Sequence, residues 1–97
     1  MLIATLEPHE LNKDDHLIID VREKEEHEEE HIPHSLLSPL STFDPEKLPP
    51  PPGKTYVFHC RSGKRSLHAA ELWTAYWGQH CYNLKGGIIA WKNTHET

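Results

Sequence analysis

The sequence predicts an α/β domain: a small, doubly wound parallel sheet of about five strands with helices on both faces. Three observations predict it. Leu17 to Val21 and Thr55 to His59 are short, nearly continuous apolar runs, the pattern of strands buried on both faces. The connections between strand candidates are long or helical, which gives the chain enough length for parallel crossovers. Ala69, Leu72, Trp73, Tyr76 and Trp77 recur at helical spacing on one face and are expected to be core, with Gly78 as the stop.

In order along the chain, Leu2 to Thr5 reads as an edge strand and Pro8 to Lys13 as a short helix. Leu17 to Val21 is the first buried strand. Lys24 to Glu30 is a helix whose acidic residues face one another at helical spacing and weaken it, so its ordinary role is a solvated face. Pro33 ends that region, Ser35 to Leu37 is a short strand, and Pro45 to Leu48 forms one helical turn. The four prolines Pro49 to Pro52 make a stiff extended connector into the strand Thr55 to His59. A helix follows from Ser66, then the strand Cys81 to Leu84, then a tight turn at Gly86 and Gly87 before the last helix.

The 97 residues, 1–97, suffice for one domain with one core of modest stability. The net charge of −5 and the clustered acids argue against nucleic acid or an anionic membrane as the main partner. Met1 to Leu6 is too short an apolar run for a signal peptide and lacks a basic start, and no segment reaches membrane-spanning length, so a cytoplasmic location is expected.

The chemistry concentrates in VFHCRSGKRS, Val57 to Ser66. Cys60 lies where the strand ends and a cationic loop leads into a helix. Unpaired N–H groups at a helix start favour an anion, and Gly63 allows the loop to curl and aim several of them inward. Arg61, Lys64 and Arg65 add positive charge. These terms favour the Cys60 thiolate, which is the nucleophilic form. The Ser62 and Ser66 hydroxyls can bond the sulfur, or Ser66 can cap the helix. Loops of cysteine-dependent phosphatases place five residues between cysteine and arginine; here four separate Cys60 from Arg65, and position 66 is serine. A smaller ring of N–H groups suits a sulfur atom carried on the cysteine better than a tetrahedral phosphate.

This loop resembles that of the rhodanese family, the thiosulfate sulfurtransferases, written C-R-x-G-x-R. LIIDVR from Leu17 to Arg22 followed by Glu23, and HIPHS from His31 to Ser35, are similar to the family's D-V-R-E and H-I-P-G-A segments. YNLKGGIIAW, Tyr82 to Trp91, looks like its strand, double-glycine turn and short helix. The resemblance runs from about Leu2 to Lys92 and departs at His34, where the family has glycine. It implies a sulfurtransferase that needs no cofactor. Cys60 thiolate attacks the outer sulfur of thiosulfate or a similar anionic donor, sulfite leaves, and the Cys60 persulfide passes its sulfur to cyanide, a thiol or a protein cysteine. Arg61, Ser62, Gly63, Lys64, Arg65 and Ser66 would bind the donor and the transferred sulfur. A persulfide carrier or interaction module of the same fold is the alternative; a phosphatase or arsenate reductase is disfavoured by the loop spacing. A monomer would suffice.

Asp20 and Arg22 lie at a strand end beside the site and are read as a buried ion pair that orders the loop, with Arg22 also reaching Glu26. His59, on the opposite face from Cys60, is read as a packed and satisfied histidine. His27, His31 and His34 are the one close histidine group, with no cysteine or clear carboxylate to complete a metal site, so no metal is expected. Cys60 ends one strand and Cys81 begins the next, so in a parallel sheet they stand on the order of 10 Å or more apart, beyond disulfide reach. Cys81 is read as a buried hydrophobe.

Overall fold

Parallel strands packed between helices dominate the computed structural model, which describes residues 2–95. The strands are β1 (Ile3–Leu6), β2 (His16–Asp20), β3 (Leu36–Leu37), β4 (Thr55–His59) and β5 (Cys81–Leu84). They form one sheet in the order β1-β5-β4-β2-β3, and every pairing is parallel. The helices are α1 (Lys24–Glu29), α2 (Lys64–Trp77) and α3 (Gly87–His95). Among the described residues no helix is long and apolar enough to cross a membrane.

Alternation along β4 divides the core. Tyr56 and Phe58 face α2, where Ala69, Ala70 and Trp73 cover them, while Val57 points the other way into a cluster with Ile32, Leu84 and Ile88 of α3. Helices therefore cover both faces. The indole N–H groups of Trp73 and Trp77 donate to the carbonyls of Leu48 and Pro45 at 2.7 and 2.6 Å, and the Tyr56 hydroxyl donates to that of Pro49 at 2.7 Å. These bonds tie the start of the proline-rich connector to α2 and β4.

Several local expectations shift. The helix expected over Pro8 to Lys13 is a single 3-10 turn, Pro8–Glu10, because Asn12 makes its own bonds to the residues that follow: its carbonyl accepts from the N–H groups of Asp15 and His16. α2 begins at Lys64, not Ser66, since Gly63 turns the chain with a φ of 112° and stands as its N-cap. Its buried face is also rotated from the expected stripe: Ser66, Ala69, Ala70 and Trp73 are inside, while Leu72 and Tyr76 are 39% and 53% exposed. The small residues on the buried face let α2 lie close against β4. α3 continues past Trp91 to His95.

Candidate active site

The site stands at the carboxyl end of β4, where open parallel sheets bind ligands. Cys60 follows that strand and is buried, and the loop curls back so that the Gly63 N–H points at its Sγ from 3.1 Å. Ser66, one turn into α2, brings its hydroxyl to 3.5 Å from Sγ. Burial pushes the Cys60 thiol up, but hydrogen bonds from the Ser66 hydroxyl and from the N–H groups of Ser66, Gly63 and Ser62 outweigh it and lower its pKa. Cys81 has no such partners, and burial alone pushes it up to about 12. Register places Cys81 level with Tyr56, four residues from Cys60. Both cysteines are free.

The loop's three cations part company. Arg61 and Lys64 are exposed and have no ion-pair partner among the described residues. Arg65 instead forms a two-pronged bond with Glu26 of α1, at 2.8 and 3.0 Å. That bond, against a smaller cost of burial, holds the Glu26 carboxyl down at about 2. Arg22 does not take Glu26 as expected: its guanidinium grips both oxygens of Asp20 and reaches the carbonyl of Glu30. Arg65 crosses from α2 and claims the glutamate first. A cleft of about 340 Å³ opens beside the loop between Arg61, Ile89, Lys92 and the end of α1.

Asp20 is fully buried. Burial would raise its carboxyl, but Arg22, His59 and His27 outweigh burial and hold it down at about 2. His27 Nδ1 lies 2.9 Å from Asp20 Oδ2, and its ring stacks on that of His31 at 4.1 Å. His59 faces away from the Cys60 side chain, as the alternation requires. However, it is not satisfied. Its Nδ1 faces the Cys60 carbonyl at 3.3 Å, while Nε2 has no hydrogen-bond partner and stands 3.9 Å from Asp20 Oδ1. A ring donating to the carbonyl through Nδ1 turns a bare nitrogen toward a carboxylate.

Two further residues complete the loop. The Ser66 hydroxyl shares its one proton between Asn83 Oδ1 at 2.5 Å and Cys60 Sγ at 3.5 Å, and Asn83 Nδ2 donates to the Gly63 carbonyl at 3.1 Å, so β5 braces the loop and α2 together. Gly87 is the second. A Cβ there would overlap the carbonyl oxygens of Cys60 and Arg61, and its φ is 60°. Only glycine lets α3 approach closely enough for the Ile88 N–H to donate to the Cys60 carbonyl at 2.9 Å. Asn83 and Gly87 both lie in the segment that resembles the family motif, yet nothing local to them announces a contact with residues more than fifteen positions away.

Comparison with known proteins accords with this geometry. The family model described as Rhodanese-like domain matches residues 7–94. Protein slr1261 of Synechocystis is 38% identical over 76 residues, which cover 78% of this chain but 42% of that protein, so the chain spans less than half of that relative. The thiosulfate sulfurtransferase GlpE of Coxiella burnetii is 31% identical over 96 residues, covering 98% of this chain and 90% of GlpE. Among solved structures, a rhodanese-related protein from Thermoplasma volcanium superposes with a TM-score of 0.82 at 26% identity, over 94% of this chain and 92% of that one.

Proposed function

The chain belongs to the rhodanese-like family of sulfurtransferase domains, and on that premise we propose that it moves sulfane sulfur from thiosulfate or a similar anionic donor through a persulfide on Cys60. The observation that carries the reading is the ring of donors around one buried sulfur: the Gly63 N–H at 3.1 Å and the Ser66 hydroxyl at 3.5 Å, with further N–H groups lowering the thiol pKa.

In the first step the thiolate attacks the outer sulfur of thiosulfate. A Cys60 S–S bond forms, the donor's S–S bond breaks, and its electron pair leaves with sulfite. The loop N–H groups then face the terminal persulfide sulfur, which carries the negative charge the thiolate had. Arg61 and Lys64, unpaired and exposed, draw the dianionic donor to the loop and oppose the charge developing on sulfite. Arg65 is engaged by Glu26 and acts at one remove, holding α1 against the loop. In the second half-reaction a nucleophilic acceptor takes the terminal sulfur and restores the thiolate. Ping-pong kinetics follow.

A second reading is favoured by Leu67 and Ile89, 42% and 43% exposed on either side of the loop. Such a rim suits a docked protein thiol, with the domain carrying persulfide rather than turning over free thiosulfate. Intact mass after incubation with thiosulfate tests both readings. Wild type is expected to gain one sulfur that cyanide discharges as thiocyanate, whereas Cys60→Ser gains none. A gain on the serine variant would overturn the assignment of Cys60; loading without discharge to small acceptors would favour the carrier.

A further inference from the structure

A cavity of about 490 Å³ lies away from the Cys60 loop and shares no residue with it. It opens where β2 and β4 begin, at His16 and Lys54, whereas Cys60 follows the end of β4. Five residues of strand separate the two levels, on the order of 16 Å. Its volume falls within the range of small-molecule sites, roughly 300 to 1,000 Å³.

The lining divides by chemistry. Ile18, Ile32 and Trp91, packed together in the α3-side cluster, give an apolar body. Lys13, Lys54, His16 and His34 form the polar side, against one carboxylate, Asp14, in a chain whose net charge is −5. The donors are set in place. The Asn12 N–H donates to His16 Nδ1 at 3.0 Å, and an N–H can only donate, so the neutral ring must carry its proton on Nε2 as an outgoing donor. Lys54 Nζ is anchored on the Lys13 carbonyl at 3.0 Å. Asn12 also accepts from the Asp14 N–H and bonds Asp15, which holds this rim rigid. Among the described residues Lys13 and His34 have no ion-pair partner.

His34 adds a separate observation. It is the one non-glycine residue with positive φ, 69°, among the described residues. Glycine would adopt that conformation without strain. The chain instead places an imidazole there, on the cavity wall.

The geometry points to a second binding site, independent of Cys60, for a small organic anion with a flat apolar body: its charge between Lys13, His16, His34 and Lys54, its body against Ile18, Ile32 and Trp91. The test uses the full chain, labelled with nitrogen-15, titrated separately with phenylacetate, phenylacetamide and acetate while amide and indole shifts are followed. Phenylacetate is expected to shift residues 12–18, 32–34 and 54 and the Trp91 indole saturably, and to bind at least fivefold tighter than either the neutral amide or acetate. His34→Gly, alone and with Lys13→Gln, should weaken phenylacetate at least fivefold and leave sulfur loading of Cys60 unchanged. The glycine relieves the positive φ, so loss of binding through unfolding is not at issue. No saturable shift in the millimolar range would overturn the site. So would equal binding of amide and carboxylate, which would make it an apolar cleft without charge recognition, or shifts confined to the Cys60 loop.

Discussion

Glu26 shows how one side chain sets the charge that the Cys60 loop presents. With its carboxylate bonded twice to Arg65, α1 cancels one of three loop cations and leaves Arg61 and Lys64 exposed, with no ion pair among the described residues. Glu26→Gln should release that charge and lower the KM for thiosulfate by about threefold at low ionic strength, an advantage that shrinks as salt screens it. Steady-state kinetics at two salt concentrations checks this; a KM that rises would mean Arg65 must be held by α1 for the loop to work. The pair is about a third exposed on each side, so its loss should cost no more than about 1 kcal/mol of stability. Gly87 is the opposite case, a residue with no side chain that decides an approach. Gly87→Ala would drive a methyl into the Cys60 and Arg61 carbonyls at a φ of 60°, and should cost more than about 2 kcal/mol in a denaturant titration, with sulfur transfer falling alongside. A fully stable, active alanine variant would show that α3 can retreat without cost.

At the scale of elements, three pieces of chain build the site: the end of β4, the first turn of α2 and, through Asn83, β5. Asn83 accepts from Ser66 and donates to the Gly63 carbonyl, so it fixes the rotation of α2 relative to the loop. Asn83→Ala would leave those two groups without their partner in a half-buried setting, a loss of about 1 to 3 kcal/mol. The sharper expectation concerns the thiol. With Asn83 no longer competing for the one Ser66 hydroxyl proton, that proton can go wholly to Cys60 Sγ and the Cys60 pKa should fall, read as a shift of its alkylation rate profile to lower pH. An unchanged profile would mean the loop N–H groups alone hold the thiolate. Much of this element assembly was legible in the chain: the apolar runs, Gly78, the prolines and the cysteine at a strand end all carry local signals. The structure departs from the local signals where packing sets the geometry. Of the expected stripe Ala69 and Trp73 are buried, but the small Ser66 and Ala70 take the inner positions beside them, and Leu72 and Tyr76 stay exposed.

For the whole molecule, three buried or paired groups make stability depend on pH in the same direction. Burial drives His59 down to about 4 from 6.5, against the pull of Asp20, so the folded protein keeps the ring neutral while the unfolded chain takes a proton. That contribution is present above about pH 6.5 and is lost as pH falls toward about 4. Asp20 and Glu26, both held at about 2, add stability above their ordinary values of 3.8 and 4.5 that is lost as pH falls below those values. Acid should therefore act in two stages. The denaturant midpoint should decline between pH 7 and pH 5, before the carboxylates titrate, and His59→Gln should remove most of that early decline while sparing the later one. An early decline of the same size in His59→Gln would assign it to other groups.

By itself the sequence determined the order of the elements, the parallel sheet and the cysteine-bearing loop at the end of β4, since each is written in residues a few positions apart: an apolar run, a glycine, a cysteine before a helix start. Only the tertiary structure decided which charges meet. Arg65 and Glu26 are separated by 39 residues, Ser66 and Asn83 by 17. His59, expected to be satisfied, keeps one bare ring nitrogen, and His34 lines a cavity wall, by the same cause: such contacts depend on which strands become neighbours and how closely a helix can lie on them, and steric fit across the sheet leaves no mark at the spacing of a local motif.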